Sequence, residues 1–76
     1  MSWKQKEHSL TKTYEFNDFT EAIAFVNEVA KLSEKAGHHP DIDIRYNKVH
    51  LSLSTHDMGG VVTKQDLDLA DQIEQL

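Results

Sequence analysis

The hydrophobic pattern of the chain changes period three times, and that switching limits what it can fold into. From Ser9 to Phe16 the pattern alternates, with Leu10, Tyr14 and Phe16 on one side and Thr11, Thr13 and Glu15 on the other. A period of two marks a strand with one buried face. A weaker pattern around Trp3 to Lys6 suggests a shorter preceding strand. From Asn17-Asp18 the period becomes helical: Phe19, Ala22, Ile23, Val26, Val29, Ala30 and Ser33 recur, and Phe25, Leu32 and Ala36 widen the apolar face enough for contacts on two sides. Asp18 and Glu21 have capping-box spacing, and Gly37 stands where a helix end favours positive φ. After Pro40 the period returns to two, in Ile42, Ile44 and Tyr46 and again in Val49, Leu51 and Leu53. Asn47-Lys48 between these runs suits a two-residue turn. A loop over 56–62 with Gly59-Gly60 follows. Thr63 then opens a last helix, with Asp66 in its first turn and Leu67, Ala70, Ile73 and Leu76 as its apolar stripe.

The order ββαββα predicts an α+β fold, a small four-stranded antiparallel sheet with both helices on one face. A chain of 76 residues is a single domain, 1–76, with a thin core. It has no cysteine for disulfides or thiolate-bound metal, which leaves self-association as the common route to more buried surface. A homodimer or homotetramer is therefore expected. With 13 acidic against 8 basic residues and a formal charge of −5, the chain repels phosphate backbones, which argues against direct nucleic-acid binding. Its apolar runs fall far short of the roughly 20 residues that cross a bilayer, so no membrane partner is expected. The opening MSWKQKEHS lacks a signal-peptide core, and a cytoplasmic protein is the expectation.

The hairpin carries a geometric consequence. A turn at Asn47-Lys48 sets Tyr46 opposite Val49, Ile44 opposite Leu51 and Ile42 opposite Leu53, so the apolar residues share one face. Continued, the pairing brings His39 opposite His56, with His38 adjacent. Neighbouring strand residues point to opposite faces, so His38 and His39 share a ligand only if the backbone between Gly37 and Pro40 is irregular. Three readings of the histidines stand open. Imidazoles exchange protons near neutral pH. Three imidazoles with Asp57 could hold a divalent metal. Or they are polar edge residues without chemistry. His8 and His50 read as solvated strand residues.

The run Glu34-Lys-Ala-Gly-His38-His39-Pro40, with Tyr46 and His56 at fixed distances beyond, resembles the signature of pterin-4a-carbinolamine dehydratases. Asp66-Leu-Asp-Leu-Ala70 is similar to that family's closing helix motif, and Asn17 to Phe25, Tyr46 to His50 and Leu53 to Asp57 are similar as well. The likeness runs from about Trp3 to the C-terminus. It implies that His38, His39 and His56 form the pterin site and that Asp66 supports it as a fourth catalytic residue. It further implies that Glu34 is the site's acidic residue, and that Ser54, Thr55 and Asp57 contact the pterin ring, largely through backbone. The implied reaction dehydrates a 4a-hydroxytetrahydropterin to the quinonoid dihydropterin, serving tetrahydropterin recycling, with neither metal nor organic cofactor. On this reading His38 and His56 exchange protons while His39 orients the ring.

Three features depart from the family pattern. Relatives commonly carry a further N-terminal helix, the loop over 58–63 is one residue longer than usual, and Ile42 stands where many relatives have an aromatic that would stack on substrate. The alternative function is a protein–protein interaction module. Similar animal proteins also serve as dimerisation partners of a transcription factor, and the broad apolar face of the first helix would suit such a role or self-association.

Overall fold

Every predicted element forms, in the predicted order. The structure, a computed structural model, describes residues 3–55 and 59–76. Its elements are β1 (Lys4–Gln5), β2 (Leu10–Glu15), α1 (Phe19–Ala36), β3 (Asp41–Arg45), β4 (Lys48–Leu53) and α2 (Lys64–Glu74). The strands make one antiparallel sheet in the order β1-β2-β4-β3. The inner strand β4 turns Val49, Leu51 and Leu53, all fully buried, toward the helices. There they meet Leu10 of β2, Ala22 and Val29 of α1, and Leu69, Ala70 and Ile73 of α2. Burying a Leu or Val side chain contributes about 1.5–3 kcal/mol, so this cluster is the main source of stability. Among the described residues no helix is long and apolar enough to cross a membrane.

Local chemistry sets the ends of α1. The Asp18 carboxylate accepts from the Glu21 N–H at 2.8 Å. The reciprocal arm reaches one residue further back than a standard capping box, with Glu21 accepting from the Asn17 N–H at 3.0 Å. At the other end Gly37 adopts φ 65°, and the next N–H, from His38, bonds back to the Ser33 carbonyl at 3.1 Å. That left-handed residue ends the helix and swings the chain toward β3.

The hairpin register differs from the expected one. Arg45 faces Lys48, Ile44 faces Val49 and Ile42 faces Leu51, so the turn is Tyr46-Asn47 and the pairs Tyr46–Val49, Ile44–Leu51 and Ile42–Leu53 do not form. The cause lies on the other side of β4. Glu15 of β2 faces Lys48, and Asn47 extends that ladder, accepting from the Phe16 N–H at 2.8 Å and donating its amide to the Phe16 carbonyl at 2.8 Å. With Asn47 held by β2, the reversal falls on Tyr46, which takes φ 53°. The shift preserves each side chain's face. The expected opposition of His39 and His56 falls outside the described residues. Carried past its last pair, Asp41 and Ser52, the observed register sets His38 level with Thr55.

The buried stripe of α2 also differs from expectation. It is Asp66, Leu69, Ala70 and Ile73, whereas Leu67 and Leu76 are exposed. A carboxylate faces the core in place of a leucine, and the next subsection shows how it is satisfied. At the far end of α2, Glu74 accepts from Tyr14 at 2.6 Å and pairs with Lys12, whose ammonium lies 4.3 Å from the Tyr14 ring centre. These contacts fasten the C-terminal turn of α2 to β2.

A candidate active site where the first helix meets the third strand

Beyond β4, Thr55 and Val61 form an isolated antiparallel bridge. The Thr55 N–H donates to the Val61 carbonyl at 2.8 Å, and the Thr55 carbonyl accepts from the Gly60 N–H at 3.2 Å. Gly59 and Gly60 sit at φ 81° and 77°, a backbone that favours residues without Cβ and lets the loop close on Thr55. Thr63 then begins α2, and Asp66 follows at the third helical position, the spacing at which a carboxylate reaches back to the N-cap N–H.

Asp66 is completely buried, and both its oxygens are occupied. Oδ2 accepts from the Thr63 N–H at 2.8 Å and from the Thr55 hydroxyl at 2.8 Å. Oδ1 lies 2.5 Å from Nε2 of His38, whose side chain is only 11% exposed. Burial pushes the Asp66 carboxyl upward, but the hydrogen bonds from His38, the Thr63 N–H and Thr55, with the charge of His38, outweigh it and hold the carboxyl below its ordinary value. The group is therefore an anion, and an anionic carboxylate only accepts. Nε2 of His38 must carry the proton in this contact, which leaves Nδ1 as the nitrogen available for chemistry.

His39 takes the opposite direction, as alternation along an extended chain requires. Its Nε2 lies 2.5 Å from the Glu34 carboxylate, one helical turn back along α1, and both side chains are largely exposed. Two His–carboxylate pairs thus flank Gly37, one inside the protein and one at its surface. Ser54 is half-buried beside Thr55. His56 and Asp57 lie outside the described residues. Thr55 has its N–H, carbonyl and hydroxyl all engaged within the protein. Thr63, read from sequence only as a helix cap, is bound into the same network through its N–H and through its hydroxyl, 2.6 Å from that of Thr55. Its spacing to Asp66 was the available signal. A separate concavity of about 370 Å3, lined by Lys4, Lys6, Thr11, Lys12, Thr13 and His50, includes none of the expected site residues.

The family model described as pterin 4 alpha carbinolamine dehydratase matches residues 1–76. The chain belongs to this family. A protein of Acidobacterium capsulatum, provisionally named a pterin-4-alpha-carbinolamine dehydratase, is 56% identical over 75 residues, covering 99% of this chain and 80% of its own. A second of the same name, from Thermomicrobium roseum, is 53% identical over 74 residues, covering 97% and 78%. Among solved structures, a transcriptional coactivator/pterin dehydratase from Brucella melitensis superposes with a TM-score of 0.90 at 30% identity, over 97% of this chain and 80% of that one. The fold is shared also by a pterin dehydratase-like protein identified as a RuBisCO assembly factor in the alpha-carboxysome, with a TM-score of 0.80 at 24% identity, over 99% and 88%.

Proposed function

We propose that this chain dehydrates a 4a-hydroxytetrahydropterin to the quinonoid dihydropterin by histidine acid–base catalysis. The hydroxyl at C4a is a poor leaving group until it receives a proton, and a ring N–H must lose one as the carbon–nitrogen double bond forms. Water is the only other product, so the proton balance closes with one acid and one base and needs no redox partner. His38 exchanges one of these protons through Nδ1, and His56 exchanges the other. His39, held by Glu34, orients the ring, and Ser54 and Asp57 add contacts at the rim.

The observation that carries this reading is the fully buried Asp66 bonded to Nε2 of His38. A fixed anion behind an imidazole selects one tautomer and offsets the charge gained when the other nitrogen takes a proton. A reduced-pterin dehydration assay in a stopped-flow instrument tests the proposal. The wild-type chain should accelerate loss of water well above the buffer rate, and His56→Ala should lose most of that acceleration. Near-wild-type turnover in His56→Ala would sink the two-histidine scheme.

Self-association is part of the same reading. Phe19 is 51% exposed at the start of α1, where Ile23 and Val26 are only half-buried, and Ile42 on the edge strand β3 is 38% exposed. A second copy covering these residues would supply the apolar burial that a chain this short lacks. Sedimentation at micromolar concentration should show a dimer or tetramer, and a pure monomer contradicts it.

A further inference from the structure

We propose that Thr63 and Thr55 are positioning residues for His38, their hydroxyls forming a one-way chain of donors that fixes the Asp66 carboxylate and, through it, the imidazole nitrogen turned to substrate. This rests on the dehydratase reading and deepens it at the same site.

The direction of the chain follows from counting protons. A threonine hydroxyl has one to give. That of Thr55 lies 2.8 Å from Oδ2 of Asp66, which as an anion can only accept, so the Thr55 proton is committed there. The Thr63 hydroxyl stands 2.6 Å from the Thr55 oxygen, and with that proton spent Thr63 must be the donor of the pair. The order is Thr63 to Thr55 to Asp66, and each bond in such a series polarises the next. Thr63 acts twice, because its N–H also donates to Oδ2 at 2.8 Å. These donors, with the Thr63 hydroxyl itself 3.5 Å away, gather on Oδ2 and leave Oδ1 for Nε2 of His38.

The backbone of Thr55 is anchored as well, its N–H to Val61 and its carbonyl to Gly60. At 6% exposed, beside an Asp66 at 0%, it sits where water cannot readily replace a missing hydroxyl. Removing either hydroxyl weakens the hold on Oδ2, which the Thr63 N–H then carries with less help, and the histidine bond on the other oxygen loses part of its fixed direction. Among the described residues, Asp66 of α2 is the charged group hydrogen-bonded to His38.

The test uses the whole chain with Thr55→Val, Thr63→Val and Thr63→Ser, read by dehydration kinetics and by nitrogen-15 NMR of the His38 ring. Thr55→Val, which removes a hydrogen bond to a charged group, should lower kcat about tenfold, and Thr63→Val, which removes the neutral donor behind it, about threefold or more, while KM stays within about twofold. Thr63→Ser should keep wild-type kcat. Wild type and Thr63→Ser should show the ring protonated at Nε2, and the valine variants a mixture of tautomers. Thr63 is half-buried at a helix start, so Thr63→Val is tolerated even where Thr55→Val is not, and it carries the test alone. Valine variants that only melt earlier, with kcat and ring signals unchanged, would overturn the proposal. If the ring signals shift as expected but wild type does not dehydrate a pterin, the reaction is refuted and the positioning network stands.

Discussion

Asp66→Asn removes one charge and almost no volume, and its consequences can be worked out contact by contact. The carboxylate receives three close donors, His38 Nε2 on one oxygen and the Thr63 N–H and Thr55 hydroxyl on the other. An amide has one acceptor and one donor end, so a donor must now face a donor on at least one side. If the amide NH2 turns to His38, the ring must give up its Nε2 proton. If it turns the other way, the Thr63 N–H meets a donor at a side chain with no solvent exposure. Leaving a buried donor unpaired costs about 1–3 kcal/mol, and breaking a buried charge pair about 3–5 kcal/mol, so we take about 3 kcal/mol. In a domain of this size each kcal/mol moves Tm by about 4–8 °C, which predicts a fall of at least about 10 °C at pH 7. Asp66 has a depressed carboxyl pKa when folded, so its contribution is present above the unfolded value of 3.8 and disappears as pH falls through the folded one. The gap between wild type and Asp66→Asn, followed by circular dichroism, should therefore close in acid below about pH 4. A variant melting within about 2 °C of wild type at pH 7 would refute the claim that this carboxylate is an ionised, fully engaged partner of His38.

Other outcomes follow from the same contacts. Leu51→Ala, at a fully buried position in the inner strand β4, should cost about 2–5 kcal/mol in chemical denaturation, and a loss under about 1 kcal/mol would place the core elsewhere. Gly37→Ala meets no atom within 4 Å but must hold φ 65°, so it should cost about 1–2 kcal/mol from backbone strain alone, with Gly37→Asn milder. Burial, reinforced by Glu74, holds the Tyr14 phenol far above its ordinary value, so ultraviolet titration should show one tyrosine resisting ionisation well beyond pH 10 until the protein unfolds. Glu74→Gln should bring that ionisation down, and an unchanged titration would separate Tyr14 from Glu74.

Features with local causes were legible in the sequence. Asp18 and Gly37 bound α1 as read, because a cap and a left-handed residue act within one turn of the chain. The hairpin register was not legible from the hairpin alone, since Asn47 is held by Phe16 across a different strand pair. The stripe of α2 was misplaced at Leu67 for a related reason: hydrophobicity cannot reveal that a buried Asp66 has a partner for each oxygen. The histidine run showed where to look, but not that His38 and His39 would part, one to Asp66 and the other to Glu34.

The most direct measurement is the rate of carbinolamine dehydration by His38→Gln, made in protein shown by circular dichroism to be folded. Loss of the Nδ1 base and of the imidazolium should cut kcat by about a hundredfold or more. Turnover within a few-fold of wild type would contradict a proton path through His38.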